Sequence, residues 1–347
     1  MTASSPRQTS LPPDDERRRL ALAHDAIGRY PLRGEPELRF VRQGENTTLE
    51  VRAEGRRFAL RMHRPGYQTA ASVASELAWT ESLQSVGIRT PAAVPGRDGR
   101  PVQRLAAPEG ERLTVLFEWV EGTPLRAEDD AALWRRLGTE MALIHEHGRR
   151  WRPPDWFTRR AWDAAGMVGP EPHWGDPLAL HEWPPAERAV LESARAAVRE
   201  RLAAFGRGPD RYGLIHADLG FENILARPDG GTVLLDFDDG GPGWFLYDLA
   251  VSLFPLERQD PDQARRAREA MLAGYREVAP LPEAHLAELP TFSMARRLVT
   301  LGWVFTRPET DHAARQRPWR IRSAVPAARE FLAWAERHPP AIAAEPA

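Results

Sequence analysis

The chain has 347 residues, enough for one large or two medium domains with a sizeable core. Its formal net charge of −2 gives no electrostatic reason to bind nucleic acid or an anionic membrane, and the absence of cysteine excludes disulfides, thiol catalysis and cysteine-held iron–sulfur clusters. All 47 basic residues are arginine, which excludes Schiff-base chemistry on lysine and a Walker A lysine. No apolar run approaches the roughly 18 residues that span a membrane, and the polar start is no signal peptide, so a soluble cytoplasmic protein is expected.

Residues 1–18 are rich in Pro, Ser and charge and are expected to form a disordered tail. Ala21 to Tyr30 reads as a short helix, followed by strands at Leu38–Val41, Thr47–Val51 and Arg57–Met62. Gly44-Glu45-Asn46 falls in the first strand connection. Ser72 to Val86 has a helical period, with Leu77, Leu83 and Val86 on one side. Pro101–Leu105 and Leu113–Val120 complete an expected five-strand sheet, which Glu121-Gly122-Thr123-Pro124 then breaks. Glu128 to His147 is a strongly patterned helix through Leu133, Trp134, Leu137, Met141 and Ile144. Between Arg150 and Pro185 stand five tryptophans, which read either as the wall of a substrate pocket or as an aromatic-stapled loop. Ala186–Phe205, Leu249–Phe254, Gln263–Val278, His285–Trp303 and Ala324–Arg337 read as further helices, with a loose tail from Pro339.

The stretch from Gly213 to Ala250 carries the chemistry. Apolar Leu214-Ile215 leads into His216-Ala217-Asp218, and Asn223 follows five positions after that aspartate. Two short β-prone runs, Ile224-Leu225 and Thr232–Leu235, flank Asp229-Gly230, a strong hairpin signal. A turn centred on that pair sets Asn223 opposite Asp236, with Asp218 on the loop just before. A carboxamide and a carboxylate at one hairpin end suit Mg²⁺, and a spare aspartate suits accepting a hydroxyl proton: the parts needed for phosphoryl transfer. Asp218 and Asn223 also read as turn-formers, which leaves Asp236 unexplained.

His216-x-Asp218-x-x-x-x-Asn223, followed by Asp236-Phe237-Asp238, resembles the catalytic loop and the D-F-G counterpart of the protein-kinase-like aminoglycoside phosphotransferase family. Choline kinases, type II homoserine kinases and a bacterial stress-response protein kinase belong to that family. The run DFDDGGPGWFLYDLA is similar to one bacterial branch of it. The resemblance implies an α+β, two-lobed fold: a small antiparallel sheet with a helix over residues 19–120, then a mostly helical lobe over 121–338. ATP would lie between the lobes, Asp218 would act as base, and Asn223 and Asp236 would hold Mg²⁺. Arg61 falls where the third-strand lysine of kinases belongs, and Glu76 would pair with it, with Glu81 in reserve. Backbone groups of Glu118 to Val120 would bond adenine. His216 is expected to orient backbone, and His145 to pack. Three departures stand out: Ala217 replaces the usual Gly, Gly220-Phe221-Glu222 replaces His-Pro-Gly, and Asn46 sits one place early for a G-x-x-N loop. Asp238 and Asp239 read either as turn-formers or as a carboxylate near the acceptor that would favour amine-bearing alcohols. The functions in play are a small-molecule kinase, a Ser/Thr protein kinase and a non-catalytic nucleotide-binding module. Asp248 follows Asp236 by only twelve positions, which leaves no room for a peptide-docking activation segment and favours a small hydroxyl-bearing acceptor.

Overall fold

The computed structural model describes residues 16–340, apart from 44–45, 109, 126–129, 221–222, 259 and 309. Most of the expected terminal tails, Gly44 and Glu45 of the first strand connection, the helix start at Glu128, and Phe221 and Glu222 therefore lie outside the described residues.

The N-terminal part runs α1 (Glu16–Gly28), β1 (Glu37–Gln43), β2 (Thr47–Ala53), β3 (Arg56–Met62), α2 (Ala70–Leu83), β4 (Ala93–Val94), β5 (Gln103–Ala107) and β6 (Gly110–Glu118). Its sheet is antiparallel in the order β1-β2-β3-β6-β4, with β5 also paired to β6. The five expected strands become six, because two-residue β4 is too short to leave a periodic signal. Side chains alternate across a strand. Leu49, Phe58, Leu60 and Met62 therefore pack on Leu22 and Ile27 of α1 and on Tyr30 just after it, while Leu113 and Val115 pack on Val73 and Leu77 of α2. Arg61, between Leu60 and Met62, turns to the α2 face. Helix α2 starts cleanly because Thr69 caps it, accepting from the Ser72 amide at 3.1 Å.

The second part contains β7 (Thr123–Pro124), α3 (Ala131–Arg150), α4 (Ala164–Val168), α5 (Pro177–Leu180), α6 (Pro185–Phe205), β8 (Tyr212–Ile215), β9 (Ile224–Ala226), β10 (Thr232–Leu234), β11 (Gly241–Trp244), α7 (Phe245–Leu253), α8 (Pro261–Arg276), α9 (Glu283–Leu286), α10 (Leu289–Thr306) and α11 (Asp311–Arg337). Two small sheets lie among these helices, β10-β9-β7 and β11-β8. Helices α3 and α8 approach to backbone contact through glycine: a Cβ on Gly138 would sit 1.9 Å from the Met271 carbonyl, and one on Gly274 would sit 1.8 Å from that of Arg135. The last helix begins at Asp311 and continues through Pro318 and Pro326, so it is much longer than the expected Ala324–Arg337. Proline inside a helix normally ends it, yet this one continues through both; its start is capped by the Thr310 side chain, accepting from the Ala313 amide. The architecture is thus the antiparallel sheet and the mostly helical part that the kinase-like resemblance implied.

Candidate active site

A cavity of about 1010 Å³ lies between the two parts. Its upper wall includes Ala59, Arg61, Phe117 and Val120, its floor Asp218, Asn223 and Asp236, and its far wall Trp174, Arg296 and Trp319.

The floor is assembled by short-range geometry. Strand β8 delivers His216, Ala217 and Asp218 into a loop whose backbone is held by Asp248. The carboxylate of Asp248, fully buried at the start of α7, accepts from the amides of His216 at 2.8 Å and Ala217 at 2.6 Å. It also meets His145 Nε2 at 3.1 Å, and His145 Nδ1 lies 2.9 Å from the Tyr275 hydroxyl. Residue 217 needs that grip, because its φ is +67°, a left-handed conformation natural to glycine and strained for alanine. His216 accepts from the Asp218 amide at Nδ1, which places its proton on Nε2, where it donates to the Leu235 carbonyl at 2.9 Å. His216 orients the loop, as expected; His145 packs, as expected, against Phe245, with ring centroids 4.4 Å apart, and in addition meets Asp248. The role of Asp248 was invisible in the sequence, where it stood only as part of Tyr-Asp-Leu-Ala; nothing local reveals that α7 lies under the β8 loop.

The β9–β10 hairpin differs from its expected register. Leu234 pairs with Ile224 and the Leu235 amide donates to the Asn223 carbonyl, so Asn223 stands opposite Leu235 rather than Asp236. The cause is the turn: Gly230 has φ +75° and the Gly231 amide donates to the Asp229 carboxylate, giving a three-residue loop in place of a two-residue one. Asp236 is turned back toward the floor by its own left-handed conformation, φ +58°. The side-chain nitrogen of Asn223 donates to the Asp218 carbonyl at 2.8 Å, leaving its amide oxygen as the acceptor.

Above the floor, Arg61 Nη2 donates to both carboxylate oxygens of Glu76 at 2.8 Å, and its Nη1 lies 3.5 Å from Asp236. Glu81 is exposed and takes no part. The guanidinium also stacks on Phe117, 4.9 Å from the ring centroid. Phe237 is buried between Trp79 of α2 and His216, with ring centroids 5.3 and 4.3 Å away, which links the helix carrying Glu76 to the loop carrying Asp218. Although 44% of the Asp236 side chain is exposed, its place in the cleft pushes its pKa up to about 7; Arg61 opposes that rise, and the nearby charges of Asp238, Glu76 and Asp218 add to it. Such excess negative charge is what a divalent cation relieves. No three His, Cys, Asp or Glu side chains converge as a metal site among the described residues. A cation held by Asp236 and Asn223 would complete its shell with water and substrate oxygens, as Mg²⁺ commonly does. The residues fit that ion.

Asp238 and Asp239 are not left uncommitted. Buried Asp238 accepts from Asn46 Nδ2 at 3.1 Å and lies 3.5 Å from His63 Nδ1. Burial would raise its pKa, but His63, Arg61 and Arg159 outweigh it and hold the carboxyl well below the usual range. Asp239 accepts from the Tyr67 hydroxyl at 2.5 Å. Both thus accept structural hydrogen bonds, and both also line the cavity.

The tryptophan-rich insertion both staples and lines. Trp162 Nε1 donates to the Asp239 carbonyl at 2.6 Å and Trp174 Nε1 to the Tyr67 hydroxyl at 2.9 Å, while Trp174 also faces the cavity. Arg159 donates to the carbonyls of Phe237, Asp238 and Gly240 and, at 2.9 Å, to that of Ser72 on α2. Another residue that spacing did not reveal is Arg296 on α10: its Nη2 donates to Asp218 Oδ1 at 2.6 Å, and its guanidinium lies over Trp174. It is distant in sequence from every motif, and only helix packing brings it to the base.

Residues 37–281 match the model of the family described as "Phosphotransferase enzyme family". An uncharacterized protein of Deinococcus radiodurans is 35% identical over 271 residues, covering 77% of each chain. The solved structure of a microcompartment-associated aminopropanol kinase superposes with a TM-score of 0.79 at 34% identity, covering 92% of this chain and 97% of that one. An amicoumacin kinase in complex with AMP-PNP, Ca²⁺ and Ami superposes with a TM-score of 0.73 at 22% identity, covering 90% and 94%, a likeness of fold.

Proposed function

The chain belongs to the phosphotransferase enzyme family, and we propose that it is an ATP- and Mg²⁺-dependent kinase that phosphorylates a hydroxyl of a small molecule. The observation that carries this reading is the convergence of Asp218, Asn223 and Asp236 on one cavity floor beneath an Arg61 fixed by Glu76. In the reaction the acceptor oxygen bonds to the γ-phosphorus, the bond from that phosphorus to the ADP oxygen breaks, and the hydroxyl proton passes to Asp218. Arg296 grips Oδ1 of Asp218 and so fixes the carboxylate, with Oδ2 as the proton acceptor. A Mg²⁺ at Asp236 and Asn223 would neutralise charge developing on the phosphate oxygens. Arg61 is always charged and forked, so with one nitrogen committed to Glu76 it can offer another to phosphate. Within 118–120 the amides of Glu118 and Trp119 already donate to Ala92 and Arg57, which leaves Val120 as the donor that adenine recognition needs.

The name of one structural relative, an aminopropanol kinase, puts amine-bearing alcohols first among acceptors to try. The deciding experiment is ADP release from Mg-ATP across a panel of amino alcohols, hydroxy amino acids and antibiotics. Acceptor-dependent turnover that disappears in Asp218→Asn supports the reading, and background ATP hydrolysis with every acceptor would refute it.

A further inference from the structure

The far wall of the cavity is cationic and aromatic. Three guanidiniums gather at the α10–α11 corner, and two have acidic partners: Arg296 pairs with Asp218, and Arg297 with Glu257. Arg320 has none within 4 Å among the described residues. Its Nη1 donates to the Thr300 hydroxyl at 2.6 Å, its Nε is buried without a partner, and its plane stacks against Phe254 and Trp319 at 5.1 and 5.7 Å. Arg258, also on this wall, stacks on Trp319 at 5.1 Å, lies 3.4 Å from Gln316 Oε1 and meets no carboxylate among the described residues. Burial, together with the charges of Arg296 and Arg297, lowers the Arg320 pKa to about 9 against the opposing pull of Asp218 and Glu257, so it stays charged at neutral pH without a carboxylate in contact. A guanidinium that lies against two rings, lines the cavity and meets no carboxylate is suited to receive an anion.

We infer that the phosphate acceptor carries, besides its hydroxyl, an anionic group, a carboxylate or a phosphate ester, and that Arg320 binds it and so determines specificity. This rests on the kinase reading and narrows it. An acceptor whose only charge is an amine would bring a cation to a wall where Arg258 and Arg320 already lack a carboxylate among the described residues, whereas an anion there is neutralised.

Three matched probes test this: L-homoserine (hydroxyl, amine and carboxylate), 4-hydroxybutanoate (no amine) and 3-amino-1-propanol (no carboxylate), with glycerol 3-phosphate against glycerol as the phosphate arm. With wild-type protein and Mg-ATP, anion-bearing acceptors should show kcat/KM at least about tenfold above their uncharged or aminated counterparts, in line with a charged hydrogen bond. Comparing the two arms identifies the anion as carboxylate or phosphate. Arg320→Met should raise KM for anion-bearing acceptors by about tenfold or more with ATP KM unchanged, and Arg320→Lys should recover part of it. Equal or better use of 3-amino-1-propanol and glycerol by the wild-type protein would overturn the inference without touching the kinase reading. If no acceptor turns over, the kinase reading falls, and calorimetric binding of 4-hydroxybutanoate and glycerol 3-phosphate decides: binding lost in Arg320→Met upholds the anion site, and no binding at millimolar concentration overturns it.

Discussion

The strip from Gly213 to Ala250 and the wall made by α10 and α11 meet at Asp218 but are built on opposite plans. In the strip Asn223 is fixed by the Asp218 carbonyl and His216 by Leu235, partners within about a turn or a hairpin, while Asp218 and Asp236 also meet Arg296 and Arg61 from outside it. On the wall, residues many positions apart are brought together by packing alone, as when Arg296 reaches Asp218 and Arg320 reaches Thr300. The strip carries an excess of negative charge around Asp236, which Arg61 faces, while the wall holds Arg320 with no carboxylate within 4 Å among the described residues. Chemistry needs fixed distances, which local structure supplies; acceptor choice needs a surface that can be redrawn, which helix faces supply.

The contrast breaks most sharply at its junction. Asp218→Asn removes the base and leaves the Mg-ATP site, so kcat should fall about 10²–10⁴-fold while calorimetric Mg-ATP affinity changes less than about twofold. A fall within tenfold would place the base elsewhere. Next is Asp236→Ala: the Mg²⁺-dependent part of ATP binding should vanish, read as loss of the Mg-ATP thermal shift with the protein still folded. Arg61→Lys is milder. It keeps the charge opposite Glu76 but loses the fork, and kcat/KM for ATP should drop by roughly ten- to a hundredfold, as expected for a lost charge-assisted bond. The smallest effect probes the scaffold: Ala217→Gly relieves a left-handed alanine and should stabilise the protein by about 1 kcal/mol, measured as a shift in denaturation midpoint. Unchanged or lower stability would mean that the Asp248 grip fully offsets the strain.

The same contrast governs what could be read in the sequence. Asp218, Asn223 and Asp236 announce themselves by spacing, and Arg61 and Glu76 by strand and helix order, and the structure brings all five together. The hairpin register slipped by one because loop length depends on a left-handed Gly230, which composition does not reveal. Proline 318 hid the first half of α11, and with it the helix turn that carries Trp319 and Arg320. Asp248 was in plain view without a role, since its partners lie on a loop thirty residues earlier that only the β8–α7 packing places above it. Arg296 had no local signal at all.

Arg159 makes the tryptophan-rich insertion inseparable from the chemistry it borders. One guanidinium satisfies carbonyls of Phe237, Asp238 and Gly240 and ties them to α2, and those carbonyls bend around the backbone next to Asp236. The segment is therefore a poor candidate for grafting. Swapping residues 150–185 with those of a relative, to import that relative's acceptor preference, would also exchange the brace of the neighbouring loop. A chimera would change two properties at once unless the incoming segment supplies its own arginine at that point, so acceptor preference in this scaffold is better redrawn from α10 and α11.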